Sequence, residues 1–233
     1  MEKKNSNLFM FISILFVTCL LIANTAAFKL ILLGPIVITS GVLLFPVTYI
    51  INDLVAEVYG YQKAKKVIWF GFGMNLLMVL YYRLAIALPH PVFFEGQSAF
   101  ATVLGGTWRA LFASMSAYLA GSFVNAFVMS KMKVKTSGRG LMGRAVVSTL
   151  FGEFLDSIIF VGILFGGLYN LTTIITMILT QTAVKTLYEI IIFPITKKII
   201  AKVKKVEGED VFDTNVNYNP FSIFRKEKAN GKI

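Results

Sequence analysis

Cysteine and histidine are almost missing from this chain: Cys19 and His90 are the single examples in 233 residues. One cysteine excludes an intramolecular disulfide and a thiolate metal site. Cys19 lies in an apolar run and reads as a small hydrophobe. His90 stands between Pro89 and Pro91, and with no second imidazole it reads as a solvated loop residue. Charge is scarce as well, at 15% of residues, and acids are the scarcer sign: 12 Asp and Glu against 23 Lys and Arg, for a net +11. There is no Gly-x-x-x-x-Gly-Lys-Ser/Thr loop, so the chain brings no P-loop for ATP. His-Glu-x-x-His and Gly-x-Ser-x-Gly are missing too, which removes the usual intramembrane zinc and serine chemistries. An acid–base enzyme using Glu153 and Asp156 would still be conceivable, but it lacks every supporting motif. The chain therefore reads as a non-enzyme, with neither cofactor nor metal expected.

Apolar residues are what the chain has in excess. They make up 56% of it, and the mean hydropathy is +0.72. A soluble domain of this length cannot hide that much apolar surface. Six runs are long enough to cross a bilayer as helices, at about 8–28, 36–58, 67–88, 111–129, 145–168 and 171–195. The expected fold is all-α, a six-helix membrane domain over 1–205 followed by a polar tail over 206–233 that looks soluble and partly disordered. The start of the chain has the charge and hydropathy order of a signal peptide, but its apolar run is long for one, and we read it as the first span. Gly166-Gly167-Leu168-Tyr169 makes a tight turn between the last two spans, and Pro194 is expected to break the sixth. The segment Glu95–Thr107 reads as a short interfacial helix or a re-entrant segment.

Nineteen of the 23 basic residues fall on one side of these spans, in the N-terminus, the second and fourth loops and the tail. The positive-inside rule then puts both termini in the cytoplasm. A basic fringe facing anionic lipid accounts for the net charge, so nucleic acid is not an expected partner.

Polar residues inside the spans form stripes at helical spacing. Tyr49, Asp53 and Glu57 recur every four residues in the second span, with Thr48 and Asn52 in the adjacent row. Ser114, Tyr118, Ser122 and Asn125 line the fourth. Thr149, Gly152, Glu153 and Asp156 mark the fifth, and Gln181, Lys185, Tyr188 and Glu189 the sixth. At 1.5 Å per residue, Asp156 and Lys185 each lie about 18 Å from their basic edges, and Glu153 about 14 Å. The last two spans are antiparallel, so Lys185 should meet both acids near the midplane. A single polar residue in a span is ordinarily helix-to-helix glue. Two acids, a lysine, an amide, tyrosines and hydroxyls converging at one level exceed what packing needs, and intramembrane charge points to a ligand or ion site. Such carboxylates could hold a cation, relay a proton, or accept a planar pair of N–H donors.

Three segments carry a resemblance. FPVTYIINDLVAEVYGYQKAKKVIW at 45–69, STLFGEFLDSIIF at 148–160 and AVKTLYEIIIFPI at 183–195 resemble the queuosine precursor transporter family, also called VUT. The likeness runs from Asn24 to Pro194. It implies a six-helix importer in the bacterial cytoplasmic membrane for 7-deazaguanine bases, the 7-cyano and 7-aminomethyl forms and in some relatives queuine, which feed a tRNA modification. An alternative is a substrate-binding membrane subunit that needs a separate energising module. Asp53, Ser148, Thr149, Gly152, Asp156 and Lys185 match shared positions, and Glu153 stands where relatives can carry an amide. The expected substrate site comprises Asp156, Glu153, Lys185, Gln181, Tyr188, Tyr118, Ser122, Asn52, Asp53, Ser148 and Thr149. Asp156 is the firmer of the two acids, and Asp156 or Glu153 accepts guanine-like N–H groups while Lys185 keeps its neighbour ionised. A homodimer is also expected.

Overall fold

A computed structural model describes residues 6–26, 29–33, 36–106 and 108–222. Among these the chain is overwhelmingly helical. Helix α1 spans Asn7–Ala26, α2 Phe45–Tyr59, α3 Tyr61–Ala87, α4 Gln97–Leu104, α5 Trp108–Lys135, α6 Leu141–Phe165 and α7 Leu171–Glu207. Five apolar helical stretches are long enough to cross a membrane: α1, α3, the stretch from α4 into α5, α6 and α7. Their outward faces carry large apolar side chains such as Phe11, Phe70, Phe112, Phe151 and Ile191, a surface suited to lipid chains.

The second predicted span departs from expectation. Residues 36–44 are not α-helical. Ile36–Thr39 forms strand β2, paired antiparallel with β1 (Leu30–Leu33), and Ser40–Leu43 makes a 3₁₀ turn. The β-branched run Ile-Val-Ile-Thr favours extended backbone. Pro46 sits in the first turn of α2, where its missing N–H costs no helical bond. The remaining 15 residues of α2 extend only about 22 Å, less than the roughly 30 Å hydrocarbon core. Nearly all of them are buried, because α2 threads the middle of the bundle.

Two glycines let α5 and α6 approach closely beside α2. A Cβ on Gly121 would lie 2.9 Å from the Gly152 carbonyl oxygen and 2.5 Å from Tyr49 Oη; one on Gly152 would lie 2.8 Å from Asn125 Cβ. At the far end, Arg109 donates to the Ile163 and Gly166 carbonyls. These are orphan carbonyls of the α6 terminus, and they precede the expected turn at Gly167.

Pro194 does not break the sixth span. It lies within α7, which continues to Glu207. The proline removes a single ladder bond, while Thr196, Ile200 and Val203 beyond it stay buried, so packing sustains the helix. The described part of the tail also differs from the soluble, partly disordered end expected, and residues 223–233 lie outside the described residues. Residues 209–222, a strap following Gly208, lie against the basic end of the bundle. Val211 N–H donates to the Val58 carbonyl (3.1 Å). Asp213, buried, accepts from the Tyr61 N–H at the start of α3 (2.9 Å) and from Ser130 Oγ (2.5 Å). Trp69 Nε1 and Tyr61 Oη donate to the carbonyls of Pro220 and Tyr218. Gly60, at φ +81°, makes this possible: a Cβ there would lie 2.8 Å from Val211 Cγ1.

Candidate functional site

Helices α2, α5, α6 and α7 bring their polar stripes together. Lys185 on α7 reaches across to α6, where its Nζ lies 2.6 Å from Glu153 Oε2 and 2.9 Å from Asp156 Oδ2. The ammonium also stands 5.7 Å from the centre of the Phe45 ring. This is the ion cluster expected from depth alone. The relative standing of its acids is reversed, however. Glu153 is fully buried, while the Asp156 side chain keeps 14% exposure. Glu153 faces α7 and the interior; Asp156, nearly a turn further on, lies nearer the rim.

Several buried polar atoms of α2, α6 and α7 have no hydrogen-bond partner. Glu153 Oε1, Tyr49 Oη, Asn52 Oδ1, Ser157 Oγ and Thr186 Oγ1 are buried without a hydrogen-bond partner. Each such group costs roughly 1–3 kcal/mol when left unpaired. Together they mark a polar interior that water or a ligand would complete.

A second acidic group lies about one turn nearer the basic end. Asp53 accepts from Asn125 Nδ2 at 2.9 Å, and Asn125 Oδ1 in turn accepts from Asn52 Nδ2 at 2.6 Å. Ser148 Oγ lies 3.2 Å from Asp53 Oδ1. Glu189, four residues beyond Lys185 on α7, is buried as well. Beyond Asp53 on α2, Glu57 closes the basic end. Arg144 grips both its carboxylate oxygens, and Lys204 lies 2.6 Å from Oε1. Lys133 donates to the Glu57 carbonyl and to Asp210 of the strap, which Lys204 also contacts at 2.8 Å.

The other expected site residues divide. Asn52, Asp53, Ser148 and Thr149 are buried in the polar interior. Ser122 is buried on α5, and its carbonyl accepts from Asn52 Nδ2 at 3.1 Å. Tyr118 is buried but turned toward α3, where its hydroxyl is spent on the Ile68 carbonyl at 2.9 Å. Gln181 and Tyr188 are half-buried. The buried row of α7 runs instead through Thr182, Lys185, Thr186 and Glu189, a face rotated from the one read in the sequence. Tyr49, Asn125, Ser157 and Glu189 were missing from the expected set. Tyr49, Asn125 and Glu189 stand in the polar stripes of the sequence but not in that set; Ser157 stands in neither.

A bundle of long apolar helices enclosing ionisable side chains is the build of a multi-pass membrane protein. The chain matches the family model described as "Putative vitamin uptake transporter" over residues 39–199, and it belongs to that family. The family's description is that of a transporter and not of an enzyme. It is also 27% identical over 149 residues to the "Probable queuosine precursor transporter" of Bacillus subtilis (strain 168). That match covers 63% of this chain and 65% of the relative, slightly under two thirds of the latter's length. No solved structure matches.

Proposed function

We propose that this transporter imports a 7-deazaguanine precursor of queuosine across the bacterial cytoplasmic membrane, crossing it six times with both termini inside. The observation that carries the substrate assignment is the Glu153 carboxylate: Lys185 engages one oxygen, and Oε1 is buried and unpartnered. A guanine-like edge presents a ring N–H beside an exocyclic amine, a fork that a carboxylate can accept. Tyr49 Oη is a donor for the ring carbonyl, and Asn52 Oδ1 an acceptor for a second N–H. A site that holds polar groups unpaired rejects analogues lacking the matching hydrogens far more strongly than an apolar pocket rejects a change of size. Two carboxylates against one ammonium also suit the cationic 7-aminomethyl form. The relative's printed name supports this substrate class, and the basic loops support the orientation. Lipid, the deazapurine and a second copy of the chain are the partners this reading names; nucleic acid is not among them.

The test is uptake of labelled 7-cyano-7-deazaguanine by cells that cannot make it, read out as tRNA queuosine. The chain should restore queuosine, and Glu153→Ala and Asp156→Ala should each reduce uptake at least ten-fold. No uptake by the parent chain defeats the substrate assignment. Parental uptake by both variants defeats the site assignment alone.

A further inference from the structure

The ion cluster at the basic end draws one residue from every helix around the polar interior. Glu57 lies in the last turn of α2, Lys133 in the last turn of α5, Arg144 in the first turn of α6 and Lys204 in the last turn of α7. Asp210 is the strap's contribution. Glu57 is the hub: Arg144 holds both its oxygens, while Lys204 lies 2.6 Å and Lys133 3.9 Å from Oε1. The Glu57, Arg144 and Lys133 side chains are each at most 2% exposed. One turn further in, Asp53 on α2 and Ser148 on α6 are fully buried. The Lys185 cluster keeps its exposure at Asp156, about 18 Å along α6 from Arg144. The polar interior is thus shut at the basic end, and its exposed rim lies away from that end.

Such a cluster pins helices together only while water is kept from it. Exposed ion pairs are worth little, whereas parting a buried pair leaves uncompensated charge. The strap is the cover. Asp210 binds Lys133 and, at 2.8 Å, Lys204. Lys133 donates also to the Val211 carbonyl at 2.7 Å. The Phe212 ring lies over the same ammonium, 4.6 Å from its centre. Phe212 also reaches the α5–α6 loop, where a Cβ on Gly138 would lie 3.0 Å from its Cζ and where the Gly138 carbonyl accepts from Arg144 Nη2 at 3.1 Å. The strap is itself tied to α3 and α5, through Asp213 to the Tyr61 N–H and Ser130, and through Glu209 to Lys63 at 3.2 Å. The Asp210 side chain is 47% exposed, so water competes for the outermost tie. The strap lies beyond residues 39–199, the part that matches the family.

We propose that the Glu57 cluster is the gate on the basic side of the transport path and that the strap at 209–222 is its latch. With the strap seated, α2, α5, α6 and α7 are held together at this end. When the strap lifts, Lys133 and Lys204 lose Asp210 and water reaches Glu57. The bond between Glu57 and Arg144 then weakens toward that of an exposed pair, and the path opens past Asp53 and Ser148. What passes the gate rests on the import reading. The closure does not, because it is built from contacts of this end alone.

The full-length chain in lipid nanodiscs tests the gate. Ser148→Cys in a Cys19→Ala background places a thiol one turn behind Arg144. With the strap intact it should react slowly with a small cationic thiosulfonate. Adding Asp210→Ala and Asp213→Ala should raise that rate at least ten-fold. The native Cys19, buried on α1, is the control, and its own rate should not change on the same two substitutions. An unchanged rate at Ser148→Cys overturns the gate. So does a rise that Cys19 shares, which would mean general loosening. The latch is tested by tying the strap down. Ser130 Oγ and Asp213 Oδ2 are 2.5 Å apart, near enough for Ser130→Cys and Asp213→Cys to form a disulfide in the Cys19→Ala background. In proteoliposomes with labelled 7-cyano-7-deazaguanine, the oxidised form should take up at least ten-fold less than the same protein after reduction. Equal uptake by the two forms overturns the latch. Absence of uptake by the parent chain counts against the import reading, and the thiol rates still decide the gate.

Discussion

Lys185 is the residue on which the polar interior depends most directly. It is buried and touches two carboxylates. Removing one member of a buried ion cluster leaves uncompensated charge, at a cost of about 3–5 kcal/mol, whereas neutral replacement of the whole cluster is often tolerated. Lys185→Met alone should therefore lower the thermal midpoint of the detergent-solubilised protein sharply. Lys185→Met combined with Glu153→Gln and Asp156→Asn should recover most of that loss. If the triple variant melts as low as the single one, charge compensation is not what Lys185 supplies. The pairing itself was legible in the sequence, because an antiparallel hairpin with a four-residue turn fixes relative depth at 1.5 Å per residue. The exchange of rank between Glu153 and Asp156 was not. Those two residues are three apart on one helix, and only the crossing of α6 with α7 decides which of them faces inward.

At the scale of elements, the strap at 209–222 and the short helix α2 are the parts least expected. Asp210 joins the strap to the bundle through Lys133 and Lys204. Burial by itself would raise its carboxyl, but the ammonium groups of Lys133 and Lys204 outweigh burial and hold it below the usual carboxylate range. A carboxyl depressed in the folded state stabilises docking above its unfolded value, about 3.9, and loses that contribution as pH falls through the folded value. The protection of the Val211 N–H relative to its intrinsic exchange rate should thus be high and flat from neutral to mildly acidic pH and fall below about pH 4. In Asp210→Asn that protection should already be lower at pH 7, with little pH dependence over the same range. Parental exchange in that variant would mean that Asp213 and the backbone bonds hold the strap unaided. The strap was misread because its composition is polar. Its order comes from donors on α3 and α5 that are remote in sequence: the Tyr61 N–H, Trp69 Nε1 and Ser130 Oγ.

For the whole molecule, the distribution of Lys and Arg is the basis of the proposed orientation. We predict that Ser6→Cys and Ser222→Cys react with an impermeant maleimide only after the membrane is permeabilised, while Ser98→Cys in α4 reacts in intact cells. Cys19→Ala would supply the background, since Cys19 is the native thiol. Labelling of Ser6→Cys in intact cells would reverse the proposed sidedness.

The chain by itself determined that it is a helical membrane protein, which residues could afford to be polar inside it, and that Lys185 meets two acids. Hydropathy, helical period and loop charge are local properties, and each survives without knowledge of the neighbours. Only the tertiary structure decided the rest. It shortened α2 and buried it, turned the Tyr118 hydroxyl toward Ile68, carried α7 through Pro194, and rotated the buried row of α7 onto Thr182, Lys185, Thr186 and Glu189. Each of these depends on how helices far apart in sequence rotate and cross, as Gly121 and Gly152 do where α5 meets α6. The angle of such a contact is chosen by shape on both sides at once, and no single segment contains it.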